Sequence, residues 1–274
     1  MLAAISRSDA AAPAHQRTEG EGRIAFARRD GRTVLRDLYQ RGAVKLRMPR
    51  AAEAEAVLIN TAGGLTGGDR LALSVEIDAG ARATVTTQAC ERIYRSLGGA
   101  AEIDVAISVA AGGRFDWLPQ ETILFDRGEL RRRLTVDLAP DAAFLAVEAV
   151  IFGRHAMGER VHTTVLHDRW RIRRGGSLLF ADDLRVDGNA DALLAHPAAL
   201  AGKGAMASLL YTGPEPERHV DAVRAALGDE GGASAFDGKL TARIVADDGL
   251  ALRRALVPAL AALRGAPLPR VWQM

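Results

Sequence analysis

Cysteine is almost absent: Cys90 stands alone among 274 residues. One thiol excludes an internal disulfide framework and suits a reducing compartment. Aromatic residues are also scarce, at 5%, so the core has to be built from Ala, Leu, Val and Ile. With 48% hydrophobic residues the chain has enough of these for a sizeable core. Neither sign of charge prevails, with 36 basic against 34 acidic residues and a net charge of +2. No basic block is interleaved with aromatics, which argues against nucleic acid as a partner. No apolar run reaches about 18 residues, so no membrane-spanning helix is expected. The N-terminus lacks the apolar centre of a secretory signal. These absences lead to the expectation of a soluble, cytoplasmic protein.

Chemistry-bearing patterns are missing too. The histidines are His15, His155, His162, His167, His196 and His219. None forms a His-x-x-x-His pair and there is no Cys-x-x-Cys, so no tight metal site of the chain's own is expected. There is no Gly-x-Ser-x-Gly elbow, and nothing near Cys90 in sequence offers it a base. A packed, inert thiol is the expectation there.

What the chain does have is a glycine-rich stretch, Leu58-Ile-Asn-Thr-Ala-Gly-Gly-Leu-Thr-Gly-Gly-Asp-Arg70, between apolar Val57–Ile59 and the alternating Leu71, Leu73, Val75, Ile77. Two Gly-Gly pairs between strands predict a shaped turn. A phosphate loop would need Lys and a hydroxyl leading into a helix. Here Asp69 and Arg70 lead into a strand, so nucleotide binding is excluded. Asp69 is either a corner residue or a carboxylate presented to a partner or a cation.

Period-two alternation dominates the first two thirds of the chain, as in strands with one buried face. It predicts strands at Ile24–Arg29 and Thr33–Tyr39 around an Asp30-Gly31 turn, then at Val44–Met48, 83–87, 103–109, 134–138 and Phe144–Phe152. Further strands are expected at Val161–Leu166, Trp170–Arg173, Ser177–Phe180 and Leu184–Val186. After Gly188 the pattern changes. Helices are expected at Ala190–Leu200, Glu217–Leu227 and Leu250–Arg264, the last interrupted at Pro258, with strands at Ala207–Tyr211 and Leu240–Val245. Residues 1–22 read as a mobile tail and 23–274 as one mainly-β domain. Its many short strands are stacked in a β-helix-like or sandwich arrangement, with a few helices in the C-terminal third. No exact repeat is visible.

Carboxylates supply the remaining candidates. Glu121 and Asp126 lie within apolar Trp117–Asp126, Glu148 is the only charge in Phe144–Phe152, and Glu159 closes Gly153–Glu159. An acid in a strand buried on both faces is costly unless paired or wet. Glu148 therefore either pairs with an arginine such as Arg154 or Arg173, or lines a polar channel that passes a cation.

Four motifs in order, Leu58–Asp69, Thr86-Thr-Gln88 with Tyr94-Arg-Ser96, Trp117–Asp126 and Gly153-Arg-x-Ala-Met-Gly-Glu159, resemble the UreD (UreH) family of urease accessory proteins. The likeness runs from about Arg23 to Pro269-Arg-Val-Trp. Cys90-Glu91-Arg92 departs from the smaller residues expected before Tyr94. The resemblance implies a non-enzymatic urease maturation factor. It would be a scaffold and metallochaperone that bridges UreF and apo-urease and acts with the GTPase UreG, with UreE supplying nickel indirectly. It implies an internal tunnel and a transient Ni²⁺ cargo with no tightly bound cofactor, for which weak carboxylate or imidazole sites suit release. Asp69 and Glu148 are the first candidates for acids along that path, Glu121 and Glu159 the weaker ones. Two rivals remain at this point. One is a β-solenoid enzyme using paired carboxylates on acidic polysaccharide, against which the few scattered aromatics argue. The other is an adaptor with no metal path.

Overall fold

Alternating strands without intervening helices can stack in parallel only if the chain returns through a second sheet. The computed structural model, which describes residues 17–154 and 157–273, takes that solution. Its strands are β1 (Glu19–Arg29), β2 (Arg32–Gly42), β3 (Val44–Arg47), β4 (Ala54–Asn60), β5 (Arg70–Ile77), β6 (Arg82–Thr87), β7 (Glu91–Ile93), β8 (Ala101–Val109) and β9 (Arg114–Leu118). They continue as β10 (Thr122–Leu124), β11 (Glu129–Leu138), β12 (Ala143–Phe152), β13 (Thr163–Arg174), β14 (Ser177–Asn189), β15 (Ala205–Tyr211), β16 (Gly231–Phe236) and β17 (Lys239–Ala246). Among the described residues three α-helices accompany them, α1 (Ala190–Ala195), α2 (Val220–Leu227) and α3 (Gly249–Arg264).

The first sheet runs β14-β13-β11-β8-β5-β1-β2, and the second runs β16-β17-β15-β12-β9-β6-β4-β3, with β10 attached to β12 and β7 to β10. Between β5 and β13 the chain alternates between the sheets, so each coil adds one parallel strand to both. Register stacks like on like. Ile24, Val75, Ile107, Val136 and Ile172 form one inward row of the first sheet. Ala56, Val85, Trp117, Ala146 and Leu210 form the facing row of the second. All ten are in one core cluster, and each fully buried aliphatic or aromatic side chain contributes roughly 1.5–3 kcal/mol.

The second sheet is covered on its outer face as well. Leu252, Leu256, Leu260 and Leu263 of α3 are buried with Leu145, Val147, Ala207 and Leu209. That cover explains the near-continuous apolar runs of β12 and β15, and it settles the α3 leucine stripe as core. Asp248 caps α3 by accepting from the Ala251 amide at 2.8 Å, Gly265 closes it at φ 64°, and Pro258 is carried inside the helix.

Several boundaries differ from the expectations above. β1 begins at Glu19, because its edge pairs with β5 down to Arg70. Residues 1–16 of the expected tail and His155 lie outside the described residues. The two strands expected at 161–173 are one, β13, and those at 177–186 are one, β14, since the hairpin they form pairs along its whole length. The 190–200 helix stops at Ala195, two residues before Pro197, because proline disfavours the helical conformation in the residue before it. The 217–227 helix begins as a 3-10 turn, Pro216–His219.

The glycine-rich stretch is the corner between β4 and β5. A Cβ at Gly67 would collide with Ser96 Oγ and with the Gly98 and Gly99 carbonyls, and one at Gly64 with Tyr94 and the Arg92 carbonyl. These glycines let the 61–69 loop press against the 92–99 loop.

Candidate functional site

Alternation dictates an inward position every second residue, and the row that begins at Leu71 breaks the apolar rule. Leu71 of β5 and Ile103 of β8 are followed in register by Arg132 of β11 and Asp168 of β13. Across the interior, Glu148 of β12 occupies an inward position beside Ser208 of β15. Arg132, Glu148 and Asp168 are each 4% exposed. Arg132 grips Asp168 with two bonds, Nε to Oδ1 at 3.1 Å and Nη2 to Oδ2 at 2.6 Å. Its Nη1 reaches Glu148 Oε2 at 2.5 Å and donates to Thr122 Oγ1 at 3.1 Å. Trp117 Nε1 donates to the other Glu148 oxygen at 2.8 Å.

Two carboxylates share one guanidinium, so the cluster carries one negative charge when both acids are ionised. Burial opposes the charge on Arg132, but Asp168 and Glu148 outweigh it and hold the guanidinium above its ordinary pKa. Burial pushes Glu148 up to about 7, against the pull of Arg132 and with the push of Asp168. A proton on Glu148 near neutrality is the cheapest way to relieve the excess charge.

Arg132 and Glu148 line a cavity of about 60 Å³, together with Leu58, Leu71, Ile103 and Thr122. Val44, Leu58, Leu71, Thr87 and Glu91 are shared with an adjoining cavity of about 250 Å³, which extends to Asn60, Gly63 and the 88–92 segment. Glu91 stands at the junction. Asn60 donates to both of its carboxylate oxygens, at 3.1 and 3.2 Å, and burial raises its pKa.

The other predicted acids lie apart from this cluster. Asp69 is buried, but Oδ1 accepts the Thr18 amide and Oδ2 the Thr66 amide, both at 2.8 Å. It does not line either cavity, and its geometry is that of the corner. Glu121 is 1% exposed and held by Arg253 of α3, Nε to Oε1 at 2.7 Å and Nη2 to Oε2 at 2.9 Å. Cys90 Sγ donates to Glu121 Oε2 at 3.3 Å. Burial and the neighbouring Glu121 push that thiol up to about 11, which leaves it protonated at neutral pH. Glu159 pairs with Arg154 at 2.7 Å on the surface. Glu148 is therefore bound by Arg132, and neither Arg154 nor Arg173 holds it. His162 and His167 face Asp191 and Asp183 at the surface. Among the described residues no three His, Cys, Asp or Glu side chains converge as metal ligands, and no helix is long and apolar enough to cross a membrane.

Sequence reasoning missed Arg132, Asp168 and Glu91. The first two were within reach. Leu130, Leu134, Val136 and Leu138 alternate through β11, and Leu166, Trp170 and Ile172 through β13, so Arg132 and Asp168 fall on inward positions.

The two-sheet coil, its helical cover and its buried charge cluster define a helix-covered β-solenoid. The UreD urease accessory protein family model matches residues 18–273. A urease accessory protein UreD of Rhizobium leguminosarum bv. viciae is 55% identical over 97% of this chain and 98% of its own. One of Brucella suis is 50% identical over 94% and 95%, and one of Agrobacterium fabrum 47% over 100% and 98%. The chain belongs to the UreD family.

Proposed function

We propose that the chain is a urease maturation factor of the cytoplasm, a chaperone-type scaffold that conducts nickel as cargo between its two sheets. In this reading it joins UreF and the urease apoprotein, with UreE delivering the metal upstream and UreG supplying GTP hydrolysis. Its own role is non-enzymatic. The observation that carries the reading is the buried excess of negative charge at Arg132, Glu148 and Asp168, facing a cavity that adjoins a wider one at Glu91. Glu91 and Glu148 are the acids along the path. Both line the cavities, and their carboxylate oxygens are the weak ligands that a divalent cation meets and leaves again. Asp69, Glu121 and Glu159 hold the frame around it, Asp69 at the corner beside the Thr66 amide, Glu121 at the docking of α3.

The test uses cells that carry the cognate urease system. Deletion of the chain is expected to leave apo-urease, and its restoration to recover nickel content and activity. Restoration with Glu91→Gln plus Glu148→Gln is expected to assemble the complex normally and load nickel poorly. Normal loading by that variant would reduce the chain to an adaptor without a metal path.

A further inference from the structure

A second arginine occupies an apolar row, at the other end of the coils. Ile77, Val109 and Leu138 stack in register, and the next strand places Arg174 beside Leu138. Unlike Arg132, it pairs with no acid among the described residues. Its Nη2 donates to the carbonyls of Thr212 at 2.6 Å and Ala142 at 3.2 Å. Arg174 Nε and Thr212 Oγ1 are the two buried side-chain polar atoms without a hydrogen-bond partner among the described residues. Thr212 is 2% exposed. Burial alone acts on Arg174, and it lowers the pKa.

Both residues line a cleft of about 350 Å³ at the turns, with Arg82 and Arg114 on its wall. Those two arginines are directly opposite in the β6–β9 register, where like charges repel. Arg114 has one weak outlet, Asp116 at 3.4 Å, and donates to the Arg264 carbonyl at 3.0 Å. The guanidinium of Arg82 has no ion pair among the described residues. The cleft's single carboxylate, Asp141, pairs with none of the three arginines. A row of apolar residues is thus ended by an arginine that shares its cleft with two more, beside an orphaned hydroxyl.

We propose that this cleft binds an oxyanion, a phosphate or carboxylate group gripped by Arg82 and Arg174. Guanidinium forks match such groups with two parallel bonds, and an anion between Arg82 and Arg114 turns their repulsion into attraction. The group comes either from free phosphate or from an acidic side chain of a bound segment.

The full chain is titrated calorimetrically with inorganic phosphate and with hexaglutamate, at constant ionic strength near neutral pH. Arg174→Met and Arg82→Met are compared with Arg218→Met, whose wild-type residue is exposed and pairs with Glu215. Saturable binding of one equivalent is expected, weakened about tenfold or more by either cleft variant and unchanged by Arg218→Met. Tighter binding of the peptide assigns the site to an acidic segment, and saturation by phosphate alone assigns it to the free ion. Absence of saturable binding of both overturns the proposal, as does wild-type binding by Arg82→Met, which leaves the buried contacts of Arg174 in place.

Discussion

Arg132 and Arg174 are the same solution to opposite problems. Each replaces an aliphatic residue in an inward row of the first sheet, at the Leu71–Ile103 row for one and the Ile77–Val109–Leu138 row for the other. Arg132 is gripped by two carboxylates and a threonine hydroxyl. Arg174 has two backbone carbonyls and an unpartnered Nε. The register is the same kind of position in both, so the difference lies in what the facing strands bring. At the first, β12 and β13 supply Glu148 and Asp168. At the second, the turns bring only further arginines and Asp141. One end of the coils therefore carries an excess negative charge indoors, and the other an excess positive charge at a cleft.

The largest expected effect breaks the first member of the pair. Arg132→Met leaves two carboxylates buried without their counter-ion. Removing one partner of such a pair costs about 3–5 kcal/mol, read as a lower urea midpoint at neutral pH. A cost similar to that of a surface substitution would mean that water, not Arg132, solvates the acids.

Next in size is the pH dependence of Glu148. Its pKa is about 7 in the folded chain, against an ordinary carboxylate value near 4.5. Between those values the folded state holds a proton that the unfolded state has released. Stability therefore falls as pH rises through this window and levels off above it, by about 3 kcal/mol for a shift of this size. Glu148→Gln removes the slope, because Arg132 and Asp168 then balance. Paired unfolding curves from pH 4.5 to 8 give the difference between variant and wild type. A difference that does not change with pH would place the titration on another group. Glu148→Gln stays folded in this account, so its share of the nickel defect expected of the double variant in the loading test is not a folding defect.

How much of this was legible follows from where each signal sits. The alternation of Leu71–Ile77 and 103–109 made strands plain, and Glu148 was conspicuous as a lone charge in an apolar run. Stacking into coils was not legible as a repeat, because the spacing is uneven. Adjacent rungs Asp104 and Arg133 are 29 residues apart, while Arg132 and Asp168 are 36 apart. Neighbours in sequence point Glu148 to Arg154 or Arg173, yet its partner Arg132 comes from β11 of the facing sheet, across the interior from β12. Asp69 was conspicuous for its glycines, which belong to the corner it holds. Glu91 carried no local signal, since its place depends on β7 lying beside β10 and on the donor Asn60 from β4.

The smallest expected effect tests the second member of the pair. Arg174→Leu continues the Ile77–Val109–Leu138 row and removes a buried Nε that has no partner. An unmade bond of that kind costs about 1–3 kcal/mol, and losing it offsets the two carbonyl bonds given up. The net change in stability is expected to lie within about 1 kcal/mol of zero, against the several lost at Arg132. Added phosphate sharpens the contrast. A ligand that binds only the folded chain raises its stability with concentration, so wild type should gain on phosphate addition at fixed ionic strength while Arg174→Leu stays flat. If Arg174→Leu instead destabilised the chain as much as Arg132→Met, Arg174 would be a structural residue with an acid partner of its own, and the two ends of the coils would be alike.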